Sequence, residues 1–512
     1  MICETFVFLT CLYAYVYQRW RHNSQHWTRQ GVAQPSKDYF PMGNSFVTRQ
    51  DVLKGGKNGG DIVLEYYEQF KHEKYYGVYG PSGTPVLVVN DLDLIKDILI
   101  KDFSHFSDHF MSFDPFGAES NTLTDQLWTN QMSNLRGDRW KQVRNTFSPI
   151  FTSAKMRMMM TFMENVGRAM NDEIEKTVRA DRPVDVKALF GAYSVDTIAT
   201  CAFGVEAGTM GNSKSEFTEA AMDIFTRKAR DTVMFMASLM PGVKQALSAA
   251  QVPFFKPKET QFFYDMVTQT MKHRMETGTR RNDLIDLMLD AMRESEAEGK
   301  DKEDVLIVAT AMIMLVAGYE TTAMTLSCCM YQLARHPEIQ RKLQDEIDAA
   351  TADGGLPAYS AIQEMEYLDM VLHEAMRLHP AVGALPRGCT QDYPVPGTDF
   401  VIKKGTDMFI STMGIQRDER YYTNPNEFNP ENFSKAAKAS RHPMAFLNFG
   451  HGPRNCIGMR FALLECKVGL ISVLSRYSLT TCAESPDSIV MDPNAVLCNP
   501  KGPLLLKAEP RS

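Results

Sequence analysis

Phe449-Gly450-His451-Gly452-Pro453-Arg454-Asn455-Cys456-Ile457-Gly458 is the stretch on which the reading of this chain turns. A single thiol sits among three glycines, with an arginine two residues before it and a phenylalanine seven before. Glycine lets a backbone turn tightly and approach a flat object closely, where a Cβ would intrude. Phe461, Leu463, Leu464, Val468, Leu470, Ile471 and Leu474 follow at helical spacing and predict a helix opening near the thiol. The unpaired N–H groups and positive dipole end of such a helix favour a thiolate. The loop is therefore suited to holding a sulfur anion against a metal. For the other nine of the ten cysteines the plain reading is a small buried hydrophobe.

Working outward, the 512 residues would suggest about three domains on length alone. A net charge of −7 gives no electrostatic case for binding nucleic acid. The cysteines show no paired framework and several lie in apolar runs, as in a reducing compartment rather than a disulfide scaffold. Residues 5–17 are almost wholly apolar or aromatic, with Glu4 before them and Arg19 and Arg21 after. A cleaved leader would place the basic residues first. A membrane anchor over 1–22 is expected instead, with the bulk of the chain on the cytosolic side, although a full span needs roughly 20 residues and this run reaches that only with its flanks. Pro35, Pro41 and Gly43 make 23–45 a stiff hinge, which leaves 46–512 as the globule.

Within the globule, Tyr75–Tyr79 and Pro85–Val89 read as a hairpin. Helical periodicity then dominates to about residue 376, with short extended pieces returning near 395–410 and at the C-terminus. The fold class is mainly α with small β-sheets. Residues 305–317 are apolar nearly all round, which predicts a helix through the core. It is interrupted by Ala317-Gly318-Tyr319-Glu320-Thr321-Thr322. Glycine loses about 1 kcal/mol of helix propensity, and a buried carboxylate must be paired, hydrated or protonated. Small residues there open room, and an adjacent acid and alcohol can order water and pass protons. Glu374 and Arg377, three apart, share a helical face and can pair.

The spacing F-x-x-G-x-R-x-C-x-G resembles the haem-binding signature of the cytochrome P-450 family, the haem-thiolate monooxygenases. The A-G-x-[ED]-T, E-x-x-R and W-x-x-x-R motifs stand in the family's order at Ala317–Thr321, Glu374–Arg377 and Trp140–Arg144. The likeness is to the microsomal drug- and steroid-oxidising branch that also includes thromboxane synthase, carried by residues 135–140, 151–155 and 455–462. It covers 27 to 458, which implies one catalytic domain with the cytochrome P-450 fold rather than three domains. It implies haem b (iron protoporphyrin IX) with Cys456 as axial iron ligand. Thr321 and Glu320 would manage protons, and Phe449, Trp140, Arg144, Arg387, Arg454 and His109 would contact the cofactor. His109 stands where relatives often have Arg. Glu374 and Arg377 would support the pocket, and the third member of that network, usually the Arg of P-E-R-F, is Asn432 here.

No nicotinamide or flavin fingerprint is present, so the resemblance implies electrons from NADPH through a cytochrome P-450 reductase, with cytochrome b5 as an auxiliary donor. Arg139, Lys141 and Arg460 are candidate docking cations. The implied activity is insertion of one atom of O2 into a small lipophile (a steroid, fatty acid or xenobiotic) at the endoplasmic reticulum membrane. Candidate substrate contacts are 103–116, 233–255, 309–314, 381–385 and 496–497, rich in Phe and Met. The segment around Phe254 and Phe255 is expected to dip into the bilayer. Two rivals remain. One is a haem-thiolate isomerase or dehydratase acting on peroxides without a reductase, a class that tends to lose the alcohol present here as Thr321. The other is a non-catalytic membrane haem-binding protein, which would not need Glu320 and Thr321.

Overall fold

A computed structural model describes residues 14, 17–18, 20–36, 43–45, 57–80, 83–109, 122–212, 215–226, 228, 230–231, 234, 243–281, 283–297, 304–351 and 355–511. Most of the expected anchor over 1–22, and much of the 103–116 and 233–255 segments, lie outside these residues.

The chain begins its globule with α1 (Gly59–Phe70), whose start is fixed by a reciprocal cap between Asn58 and Asp61. The expected hairpin forms as β1 (Tyr75–Tyr79) and β2 (Pro85–Val89), antiparallel in register from Tyr75 opposite Val89 to Tyr79 opposite Pro85. Helices follow: α2 (Gly137–Phe147), α3 (Ser153–Arg179), α4 (Val186–Ile198), α5 (Pro257–Thr277), α6 (Leu284–Ala297), α7 (Asp304–Arg335), α8 (Pro337–Ala350) and α9 (Glu366–Leu378). β3 (Leu385–Gly388) and β4 (Asp407–Ile410) then complete the first sheet in the order β1-β2-β4-β3, with β2 and β4 parallel. α10 (Met459–Leu474) leads into β5 (Tyr477–Thr480), which pairs with β6 (Leu505–Pro510) in a small second sheet.

One apolar core joins α2, α3, α4, α7, α9 and α10, and a second lies beneath the first sheet. α7 runs 32 residues without a break, about 48 Å at helical rise. It is long and apolar enough to cross a membrane, yet most of its apolar stretch is buried in the protein. The polar interruption in its sequence leaves the helix intact. On one side Gly318 meets α4, where an added Cβ would lie 3.3 Å from Ile198 Cδ1. The stretch expected as a hinge is docked at 27–33. Trp27 is fully buried, its indole donating to the Val78 carbonyl at 3.0 Å, and the Gly77 amide donates to the Ala33 carbonyl at 2.8 Å.

Candidate active site

The loop before α10 is folded by its own backbone. The Cys456 amide donates to the Phe449 carbonyl at 2.8 Å and the Asn455 amide to Gly452 at 3.1 Å. Gly452 has φ +73°, and a Cβ there would fall 1.8 Å from the Leu99 carbonyl oxygen, so only glycine closes the turn. Gly458 needs no such freedom: it caps α10 at φ −87°, and an added Cβ would meet the Phe151 ring at an ordinary 3.9 Å.

Cys456 opens into a cavity of about 370 Å³ that Thr321 also lines, together with Phe449, Trp140, Arg144, Arg387, Arg454 and His109. Eight predicted site residues thus meet at one place. The helix start does not win at the thiol. Burial pushes the Cys456 thiol up, against the opposing pull of the Gly458 amide and the Arg144 guanidinium.

Several expected roles shift. Arg144 donates to the Asn455 carbonyl at 2.8 Å and to its side-chain oxygen at 2.7 Å, so its hydrogen bonds tie α2 to the cysteine loop. Arg454 donates to the carbonyls of Ser107 and Leu135, each at 2.6 Å, and lies 4.2 Å over the Trp140 ring. Burial is the main cause that holds its guanidinium down to about 9, and Arg387 is held down to about 10 for the same reason. Arg387 makes one bond, to the Pro386 carbonyl, and its Nε is buried without a partner. His109 Nε2 is buried and partnerless as well, and burial beside Arg387 and Arg454 pushes the ring well below the usual imidazole range.

Of the acid–alcohol pair only the alcohol faces the cavity. Thr321 Oγ1 donates to the Ala317 carbonyl at 2.9 Å. Successive helical residues point about 100° apart, and Glu320 is turned toward the C-terminal segment, where Asn499 Nδ2 donates to Oε1. Burial raises its carboxyl to about 8, and Oε2 has no partner.

Glu374 and Arg377 form a fully buried two-point pair at 2.7 Å. Asn432 donates to Glu374 at 3.1 Å, so it keeps its place in the network with an amide instead of a charge. The missing cation is not far. Arg441 donates to the Asn432 carbonyl at 2.7 Å and lies over the Tyr422 and Phe433 rings at 4.3 and 4.9 Å. Nothing in the spacing pointed to it.

The substrate segments are corrected in part. Ile313, Met314, Ala381, Val382 and Leu385 line the cavity, whereas Val496, Leu497 and Ala309 do not. Ile198 and Leu284, from elements with no local signature, do. Phe254 and Phe255 are half-buried, their amides donate to Asp125, and Phe255 stacks on Trp128 at 5.1 Å.

The residues fit haem b. A thiol opens onto an apolar cleft of ligand size, and the unmet Nε of buried Arg387, with His109 Nε2 beside it, suits the carboxylates that such a cofactor carries.

The cytochrome P-450 family model matches residues 51–507. The chain belongs to the cytochrome P-450 family. It is 34% identical to cytochrome P-450 3A2 of Rattus norvegicus over 99% of this chain and 97% of that protein. It is 33% identical to probable cytochrome P-450 6a14 of Drosophila melanogaster over 94% and 95%, and 33% identical to cytochrome P-450 6B6 of Helicoverpa armigera over 95% and 94%. This cytochrome P-450 is an oxidoreductase of the monooxygenase class and binds haem b through a thiolate. It works with a redox-partner reductase, a substrate and O2, and associates with the endoplasmic reticulum membrane.

Proposed function

We propose that the chain hydroxylates a small lipophile (steroid, fatty acid or xenobiotic) at this cavity. The reaction is RH + O2 + NADPH + H+ giving ROH + H2O + NADP+. The observation that carries the reading is the opening of Cys456 and Thr321 into one apolar cavity. Haem, when bound, supplies the oxygen chemistry, and a sulfur ligand pushes electron density that favours O–O cleavage.

In this reading Cys456 would supply the sulfur ligand, and its loop is held by Arg144 and by the turn at Gly452. Arg387, Arg454 and His109 would receive the cofactor's carboxylates, while Trp140 supports Arg454 through its ring. Thr321 Oγ1 presents a proton to the oxygen side, and Glu320 replenishes it. Ile313, Met314, Val382 and Leu385 exclude water and hold apolar substrate. Glu374, Arg377 and Asn432 fix the segment leading to the loop.

Residues 1–22 anchor the protein, 23–45 connect, and 46–512 form the catalytic domain facing the cytosol. The reductase docks on the cysteine side through Arg139, Lys141 and Arg460, with cytochrome b5 as an auxiliary donor. Lys141 pairs with Asp138 at 3.1 Å and Arg460 donates to Ser153 at 2.6 Å, both exposed bonds that a partner's carboxylates can replace.

Thr321→Ala tests the reading in holoenzyme supplied with reductase, NADPH and testosterone as the probe lipophile. NADPH consumption is expected to continue while product per NADPH falls at least about tenfold. Unchanged coupling would sink the assignment and favour a reductase-free isomerase.

A further inference from the structure

Glu320 is the one member of the proton-handling pair that the cavity does not include. Its carboxyl lies 179 residues from Asn499 in sequence and meets it in space. The Asn499 side chain makes no other hydrogen bond among the described residues, while its backbone carbonyl accepts from Asp492 at 2.7 Å. The next residue, Pro500, accepts from Lys187 Nζ at 2.6 Å, and the Lys187 side chain is only half-buried, at the solvent edge of α4. Lys187 is also the cation whose field reaches Glu320. The carboxyl's second oxygen is buried and has no partner among the described residues.

We propose that Asn499 is a positioning residue for the oxygen chemistry: it holds Glu320 at the outer end of its swing, where the carboxyl is reprotonated from solvent past Lys187. The inference rests on the assignment of Glu320 and Thr321 to proton delivery. Glu320 faces Asn499 and not the cavity that Thr321 lines. An acid serving Thr321 must therefore alternate between two positions, and the Asn499 amide defines the outer one. The proton moves from solvent to Glu320 beside Lys187 and Asn499, then from Glu320 to Thr321 Oγ1, leaving a carboxylate that returns to the Asn499 donor. That donor stabilises the ionised carboxyl. The charged or titratable groups around it are Lys187 from α4 and Tyr319 from its own helix; burial opposes them and dominates.

The consequence is a pH limb. In reductase-supplied holoenzyme, hydrogen peroxide released per NADPH consumed should rise as pH passes about 8, where Glu320 ionises. Asn499→Ala removes a hydrogen bond to the carboxylate and should move that rise to higher pH. Asn499→Asp adds a like charge and should move it further. Glu320→Gln should abolish the limb in every background. The ferrous–CO spectrum reports that each variant keeps its haem, and neither Asn499 change touches the backbone bond to Asp492. Asn499→Ala and Asn499→Asp profiles that superimpose on the wild type would overturn the proposal. If Thr321→Ala also leaves peroxide release unchanged, the failure lies in the proton-delivery reading. If Thr321→Ala uncouples while both Asn499 variants match the wild type, only the role of Asn499 is refuted.

Discussion

In the loop around Cys456 the polar groups are spent on one another, while across the cavity Arg387 Nε and His109 Nε2 have no partner among the described residues. Arg144 bonds both oxygens of Asn455, Arg454 bonds the Ser107 and Leu135 carbonyls, and the Cys456 amide is closed onto Phe449. Along α7, Thr321, Thr325 and Ser327 return their hydroxyls to the helix's own carbonyls, whereas Thr310 Oγ1, Thr322 Oγ1 and Glu320 Oε2 are buried with no partner among the described residues. An unmet buried polar group costs about 1–3 kcal/mol. The cysteine side is built for permanence, and the helix side gives up stability to keep groups that can change partner and proton. Substitutions on the first side should therefore weaken the fold, and substitutions on the second should spare or strengthen it while damaging turnover.

The largest effect is expected at the network behind the loop. Glu374→Ala leaves Arg377 buried and unpaired and should cost about 3–5 kcal/mol in urea unfolding. Gly452→Ala forces a left-handed residue against the Leu99 carbonyl and should cost about 2–4 kcal/mol, with poor haem retention. Arg441→Ala should cost about 1–3 kcal/mol, the worth of a charged hydrogen bond and ring contacts. A neutral result there would show that Asn432 manages without a nearby cation.

Glu320→Gln should have the opposite sign. Burial raises the folded carboxyl from 4.5 to about 8, so folding favours its neutral form. Its contribution to stability is highest at low pH and is lost as pH rises from about 4.5 through about 8, because ionisation is easier in the unfolded chain. At pH 8 and above the Gln variant should melt higher than the wild type, and the gap should close in acid. A variant melting lower at every pH would break the comparison. Gly458→Ala, on the cysteine side but free of strain, should change stability by no more than about 0.5 kcal/mol.

What the sequence made legible was whatever local pattern dictates. The hairpin emerged residue for residue, because two short aromatic and β-branched runs flank a Gly/Pro-rich break in the sequence. α7 and α10 formed where periodicity put them. The site residues were readable because their spacing is held by one loop or one helical face. Long-range partners were not. Asn499 meets Glu320 through a turn in the C-terminal segment, and Arg441 reaches the Asn432 carbonyl across a chain reversal; neither carries a periodic signal. The bonds that Arg144 makes to Asn455 were illegible for a related reason. Spacing set its helical face, but only the folded loop shows that Asn455 takes its hydrogen bonds. The preference for thiolate at the start of α10 was outweighed by burial, which local sequence does not report.

The central claim is that Cys456 supplies the sulfur ligand in this cavity, and the ferrous–CO difference spectrum of the holoenzyme tests it most directly. The wild type should show the red-shifted Soret band of thiolate ligation, and Cys456→His should bind haem with that band absent. A wild type without the band, or a His variant that retains it, would contradict the account.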